Sequence, residues 1–200
     1  MPFSSKKSLG QNFLNDQKII DLIVETGNIN SKDIVLEVGP GTGSLTEKIL
    51  DKKPKDFILI EKDKRFADYL HQRYKNKIKV FNEDMIKFSY KDYFEKELII
   101  FGNLPYNIST QILVKWIRIK NLDKFCKKFI LMFQKEVADR IIAKTNTKNY
   151  GRLSIFSNWK MNVEKVIDVE PSSFKPAPKV KSTVLTFTPK KKVYDLKDPK

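Results

Sequence analysis

Residues 34–51 read IVLEVGPGTGSLTEKILD, and this stretch decides the fold. Its first five residues are a short, mostly β-branched run and predict a strand over 34–38. Three glycines then fall within five residues, Gly39, Gly41 and Gly43, before apolar positions resume at helical spacing over 44–51. Glycine is required where a ligand presses on the backbone, or where φ must be positive, because a Cβ would fill the space or forbid the angle. A loop of this kind at the carboxyl end of a strand lies where open α/β sheets take their ligands. The spacing is G-x-G-x-G, with Ser44 where a dinucleotide fingerprint would carry its third glycine, so it is not that fingerprint.

Working outward, residues 17–26 predict a helix with Asp16 as N-cap and Gly27 as its stop. Strands are expected over 57–60, 78–82, 98–102 and 129–133, with helices over 64–75, 109–120 and 135–144 between them or after them. Five strands separated by helices predict a doubly wound parallel sheet. Two more strands, near 163–169 and over 182–188, are joined by a proline-rich loop without a helix and are expected to form an antiparallel pair at one edge. The fold class is therefore α/β, a Rossmann-like, mostly parallel, seven-stranded sheet. Residues 1–189 are expected to form one catalytic domain and 190–200 a basic tail or truncated linker.

The 200 residues carry a formal charge of +15, unevenly spread. Residues 1–114 hold 18 basic and 16 acidic groups, whereas residues 115–200 hold 21 and 8. A balanced first half followed by a strongly basic second half points to a polyanionic partner, nucleic acid first. One cysteine, Cys126, excludes an intrachain disulfide and suits a reducing, cytoplasmic setting. One cysteine and one histidine, His71, cannot assemble the usual zinc site, and no metal is expected. No apolar run is long enough to span a bilayer.

The strand ends carry the chemistry. Glu61, closing the second strand, can accept two hydrogen bonds from a ribose diol. Asp84, after the third, can accept from the exocyclic amine of an adenine, and Met85 can pack on the ring. The fourth strand ends in Phe101-Gly102-Asn103-Leu104-Pro105-Tyr106. There the Asn103 amide oxygen and the Leu104 carbonyl offer two acceptors, Pro105 donates no N–H, and Tyr106 offers a ring face to a flat base. Two acceptors and a stacking plane suit the amine of adenine, whose lone pair is delocalised until the nitrogen is drawn toward tetrahedral geometry.

At these residues the sequence resembles the ribosomal RNA adenine N6,N6-dimethyltransferases, of the small-subunit type. The resemblance is carried by QNFL at 11–14, GPGTGSLT at 39–46, NLPYNIST at 103–110, FQKEVADRI at 133–141, YGRLS at 150–154 and PSSFKPAPKVKS at 171–182. It implies S-adenosyl-L-methionine as cofactor, bound by Asn12, Leu14, Gly39, Glu61, Asp84 and Asn103. Gly41 and Gly43 of the loop, Lys62 beside Glu61, and Met85 complete the candidate set. It implies a target-base site at Asn103 to Tyr106, with Phe174 as a second stacking aromatic. The implied substrate is a pair of adjacent adenosines in a 3′-terminal hairpin of small-subunit (16S) rRNA, each methylated twice. Lys135, Arg140, Lys144, Lys148, Arg152, Lys179 and Lys181 are the candidate phosphate contacts. The chain is expected to act as a monomer on the small ribosomal subunit. The resemblance also implies a small helical C-terminal domain, absent from this sequence, which ends at Lys200. Two alternatives stay open: a large-subunit rRNA adenine methyltransferase of the antibiotic-resistance type, and a nucleic-acid-binding assembly or transcription factor that keeps the fold.

Overall fold

The computed structural model describes residues 10–93 and 95–191. Of the expected tail at 190–200, residues 192–200 lie outside the described residues. The elements in chain order are β1 (Phe13–Leu14), α1 (Gln17–Gly27), β2 (Ile34–Val38), α2 (Ser44–Asp51), β3 (Asp56–Ile60), α3 (Lys64–Tyr74), β4 (Lys79–Phe81) and β5 (Leu98–Asn103). Then follow α4 (Tyr106–Ile117), α5 (Leu122–Phe125), β6 (Cys126–Gln134), α6 (Lys135–Ile141), α7 (Arg152–Lys160), β7 (Met161–Val169), β8 (Phe174–Lys175) and β9 (Ser182–Pro189).

Seven strands form one sheet in the order β4-β3-β2-β5-β6-β9-β7. The first five in that order are parallel, and β9 pairs antiparallel with both β6 and β7. The expected antiparallel edge pair is present, with the last strand inserted inside the edge rather than added outside it. The strands are buried on both faces, so their side chains alternate between two apolar layers. Leu36, Val38, Ile58 and Ile60 join Ile112, Trp116 and Phe129 on one side. Val35, Phe57, Leu59 and Phe101 join Ile20, Leu45 and Leu70 on the other. Among the described residues no helix is long and apolar enough to cross a membrane.

The ends of the parallel strands are held level with one another. The Gly39 N–H donates to the Ile60 carbonyl at 2.9 Å, and the Glu61 N–H to the Phe81 carbonyl at 3.0 Å. The glycine loop, Glu61 and Asn103 are thereby brought to one rim of the sheet.

Several boundaries differ from the sequence expectation. Helix α4 starts at Tyr106, three residues early, because the Pro105 carbonyl already accepts the Ile108 and Ser109 N–H groups at 3.1 Å each. Helix α7 falls where the sequence predicts no helix, since its apolar residues are scattered around the axis. Leu153 and Phe156 pack on the core while Ile155 is exposed. The Ser154 hydroxyl starts this helix by closing on the Gly151 N–H and carbonyl, at 2.9 and 2.8 Å. Gly27 does not stop α1. Asn28 does so, in the left-handed conformation with φ 48°. Gly27 is small for another reason: a Cβ there would lie 2.5 Å from Cζ of the fully buried Phe101 ring. Gly27→Ala should therefore destabilise the fold by about 1–3 kcal/mol through overpacking, read as a lower urea midpoint with an unchanged slope.

Candidate functional site

A cleft opens at that rim, with about 1050 Å³ of free space counted out to its mouth. Its floor is the glycine loop. Gly39 and Gly41 hold φ of 68° and 55°, and a Cβ on Gly41 would come within 3.0 Å of the Phe13 ring. Gly43, at φ 85°, lies outside the cleft lining and starts α2, where a Cβ would strike Leu70 at 2.9 Å. Two of the three glycines thus shape the cleft and the third lets the helix begin.

Glu61 lines the cleft and is 6% exposed. One carboxylate oxygen accepts the Gly41 N–H at 3.0 Å and the other the Asp63 N–H at 2.8 Å. Burial raises its pKa, and these two bonds oppose the rise. Each oxygen keeps a lone pair, so a diol can still be accepted. Lys62 also lines the cleft and donates to Asp84 at 2.8 Å. That bond comes first among the influences holding the Asp84 carboxylate below its ordinary range. Asp84 itself is outside the lining, but Met85, the next residue, is within it. Asn12 and Leu14 line the cleft as well.

The opposite wall is Asn103, Leu104, Pro105 and Tyr106. The Asn103 Nδ2 donates to the Asn12 carbonyl at 3.2 Å. A carbonyl can only accept, so this bond fixes which way the amide faces and leaves Oδ1 as an acceptor. Among the described residues no hydrogen bond to Oδ1, and no loop or turn backbone bond to the Leu104 carbonyl, is found. The Leu104 side chain is buried in the core and contributes to the site through its backbone. The Tyr106 hydroxyl meets the Ser182 hydroxyl at 2.6 Å. Burial raises the phenol pKa, and the Ser182 bond opposes the rise.

Residues 10–14 roof the cleft, and the segment is tied down at several points. Gln11 donates to Asp63 at 3.1 Å, and Phe13 packs edge-on against Phe66 with centroids 5.3 Å apart. Asp63 is held ionised, its pKa lowered first by the Arg65 guanidinium at 2.6 Å. Strand β1 pairs with β8, and the Asn15 N–H donates to the Ser173 carbonyl at 3.0 Å. Phe174 belongs to this tie. It is 4% exposed, packs among Leu14, Val169 and Val184, and is not in the cleft lining.

The expected phosphate contacts divide into two groups. Lys135 pairs with Asp139 at 3.0 Å and Asp168 at 3.6 Å, and Lys181 with Glu170 at 2.6 Å. Arg140, Lys144, Lys148, Arg152 and Lys179 are exposed, and no ion pair to them is found among the described residues. No cluster of metal-binding side chains is found among the described residues either.

A profile of the ribosomal RNA adenine dimethylase family matches residues 2–200. The chain belongs to this family. It is 51% identical to the ribosomal RNA small subunit methyltransferase A of Pelagibacter ubique, over 98% of this chain and 74% of that protein. A dimethyladenosine transferase from Plasmodium falciparum superposes with a TM-score of 0.81 at 36% identity, over 89% of this chain and 63% of that one. The 23S rRNA methyltransferase ErmE follows with a TM-score of 0.76 at 27% identity, over 91% and 71% of the two chains.

The cleft suits an adenosyl sulfonium on its own geometry. Gly39 and Gly41 bring bare backbone to the floor, the buried Glu61 carboxylate can accept from a diol, and Met85 offers an apolar edge to a purine. One group that the sequence reading missed is Glu37, which lines the cleft at 2% exposure and accepts the Thr46 hydroxyl at 2.7 Å. Its signal was an acid inside an otherwise apolar strand. Burial pushes its pKa up to about 8, the Thr46 bond opposes this, and the nearby Glu61 adds to it. Between the unfolded value of 4.5 and about 8 the folded state holds a proton that the unfolded chain has lost, so stability falls as pH rises through that window. Glu37→Gln should remove this slope, at most about 1.4 kcal/mol per pH unit, so the variant gains on the wild type between pH 5 and 8 in urea melts.

Proposed function

We propose that the protein transfers methyl groups from S-adenosyl-L-methionine to N6 of two adjacent adenosines in a 3′-terminal hairpin of small-subunit rRNA, twice at each. The observation that carries this reading is the Asn103–Asn12 hydrogen bond, which leaves an amide oxygen and the Leu104 carbonyl as acceptors beside Tyr106. Family membership and the identity to a protein named small subunit methyltransferase A support it. They favour the small over the large subunit, since the likeness to ErmE is weaker.

The cofactor supplies an electrophilic methyl on a sulfonium. In the first transfer Asn103 and Leu104 accept hydrogen bonds from the two N6–H groups of the target adenine, drawing its lone pair out of the ring and toward that carbon; in the second, one of them accepts from the single N–H that remains. When bound, the cofactor would give up that methyl to the nitrogen and keep the C–S electron pair on its sulfur. The nitrogen then bears a positive charge and releases its proton to water, so no strong base is needed at this wall. Tyr106 holds the flipped base by stacking, which returns ~1–3 kcal/mol against the few kcal/mol that flipping costs. Glu61 would hold the ribose of the cofactor, and the loop around Gly39 and Gly41 would take its amino-acid side. Arg140, Lys144, Lys148, Arg152 and Lys179 grip phosphate. Residues 1–189 act as the catalytic domain, as a monomer in the cytoplasm, a setting that suits the buried Cys126 thiol.

Tritiated methyl transfer to unmethylated small and large subunits, assayed separately, checks the substrate. Labelled dimethyladenosine is expected in the small subunit. Incorporation confined to the large subunit, or none while cofactor is bound, contradicts the reading. Asn103→Ala should lower kcat by about 100-fold, the scale of losing one preorganised polar contact, and leave the cofactor Kd within a few-fold. Parallel loss of rate and cofactor affinity would assign Asn103 to the cofactor instead.

A further inference from the structure

The Tyr106 ring lines the cleft, but its hydroxyl is turned onto Ser182, which is fully buried and outside the lining. Stacking on a base needs only the ring face, and a phenylalanine would provide it. The hydroxyl therefore has a different task, and the identity of its partner suggests which. Ser182 opens β9 and is paired on both sides, with Gln134 of β6 and Val169 of β7. The Lys181 carbonyl just before it accepts the Lys135 N–H at 2.9 Å. The serine is thus anchored in the sheet, whereas Tyr106 stands at the first position of α4, where the helix bonds have only begun. Its own carbonyl is tied by the Ser109 hydroxyl at 3.1 Å. That bond fixes the main chain and leaves the ring torsions to be fixed by something else.

We propose that Ser182 is a positioning residue for base binding, its hydroxyl locking the Tyr106 ring in the plane against which the target adenine stacks. This rests on the methyl-transfer reading above. A ring held before the base arrives loses no torsional freedom when it stacks, and it presents one face at one distance from Asn103. Without the bond, the ring swings and the phenol seeks water at the cleft mouth. Ser182 touches neither base nor cofactor, so cofactor binding is independent of it.

A double-mutant cycle tests this. Wild type, Ser182→Ala, Tyr106→Phe and the double variant are compared for kcat and KM on unmethylated small subunits, and for the Kd of S-adenosylhomocysteine by calorimetry. Each single variant should lose about tenfold in kcat/KM, mostly through KM, with Kd unchanged. The double variant should be no worse than either single one, because both remove the same bond. Losses that multiply to about a hundredfold, or a Ser182→Ala protein that matches wild type, overturn the inference. A Ser182→Ala loss that falls on cofactor Kd overturns it too, since that marks a general structural effect. If Ser182→Ala does not fold, Ser182→Cys takes its place in the same cycle, with nearly the same shape and a much weaker hydrogen bond. A wild type that binds cofactor but methylates no subunit overturns the methyl-transfer reading and this inference together. An active wild type with additive losses overturns the inference alone.

Discussion

One hydrogen bond sets the chemistry of the cleft, the 3.2 Å contact from the Asn103 amide nitrogen to the Asn12 carbonyl. An asparagine amide can present either end to a cavity, and only the oxygen end can draw on an amine. A backbone carbonyl as partner removes the choice, because it takes nothing but a donor. Keeping that carbonyl in place requires the roof over the cleft. The roof is held by Gln11 on Asp63, by Phe13 on Phe66 and by the two-residue pairing of β1 with β8. Asn103 in turn is held by the end of β5, paired between β2 and β6.

The rest of the fold brings the other partners to the same rim. Parallel strands place their carboxyl ends together, and each end delivers one group: the glycine loop, Glu61, Met85 and Asn103. The antiparallel strand β9 then returns along β6 and delivers Ser182 behind Tyr106. Two halves of the cleft are therefore built differently. The cofactor half rests on loops after parallel strands, and the base half is braced by a strand from the far end of the chain. The exposed cations of 140–152 and Lys179 belong to the second half of the sequence, where the excess charge lies.

Much of this is legible in the sequence because it is local. The strand–glycine loop–helix of 34–51 announces itself by composition, and Glu61 and Asn103 stand at the ends of obvious apolar runs. What escaped is what depends on partners far along the chain. Gln11 and Asp63 are 52 positions apart, and Tyr106 and Ser182 are 76 apart. Strands of two residues carry no alternation to read, so the β1–β8 tie has no sequence signal, and only the family resemblance assigns Phe174 a role. The structure packs its ring in the same buried layer as Leu14. Gly27 shows the same limit from another side: a helix stop and a close approach to a phenylalanine look identical in one dimension. Helix α7 lacks an amphipathic pattern because it is steered by Ser154 at its start and covers the core with only part of its surface.

The central claim is that Asn103 aims its amide oxygen at the place where a methyl group is handed over. A crystal structure of the complex with sinefungin, which carries an amine where the cofactor carries its methyl, tests this directly. The account predicts the sinefungin ribose on Glu61 and its amine at hydrogen-bond distance, about 3 Å, from Asn103 Oδ1. Sinefungin bound elsewhere, or Oδ1 turned onto a donor within the protein, would contradict it.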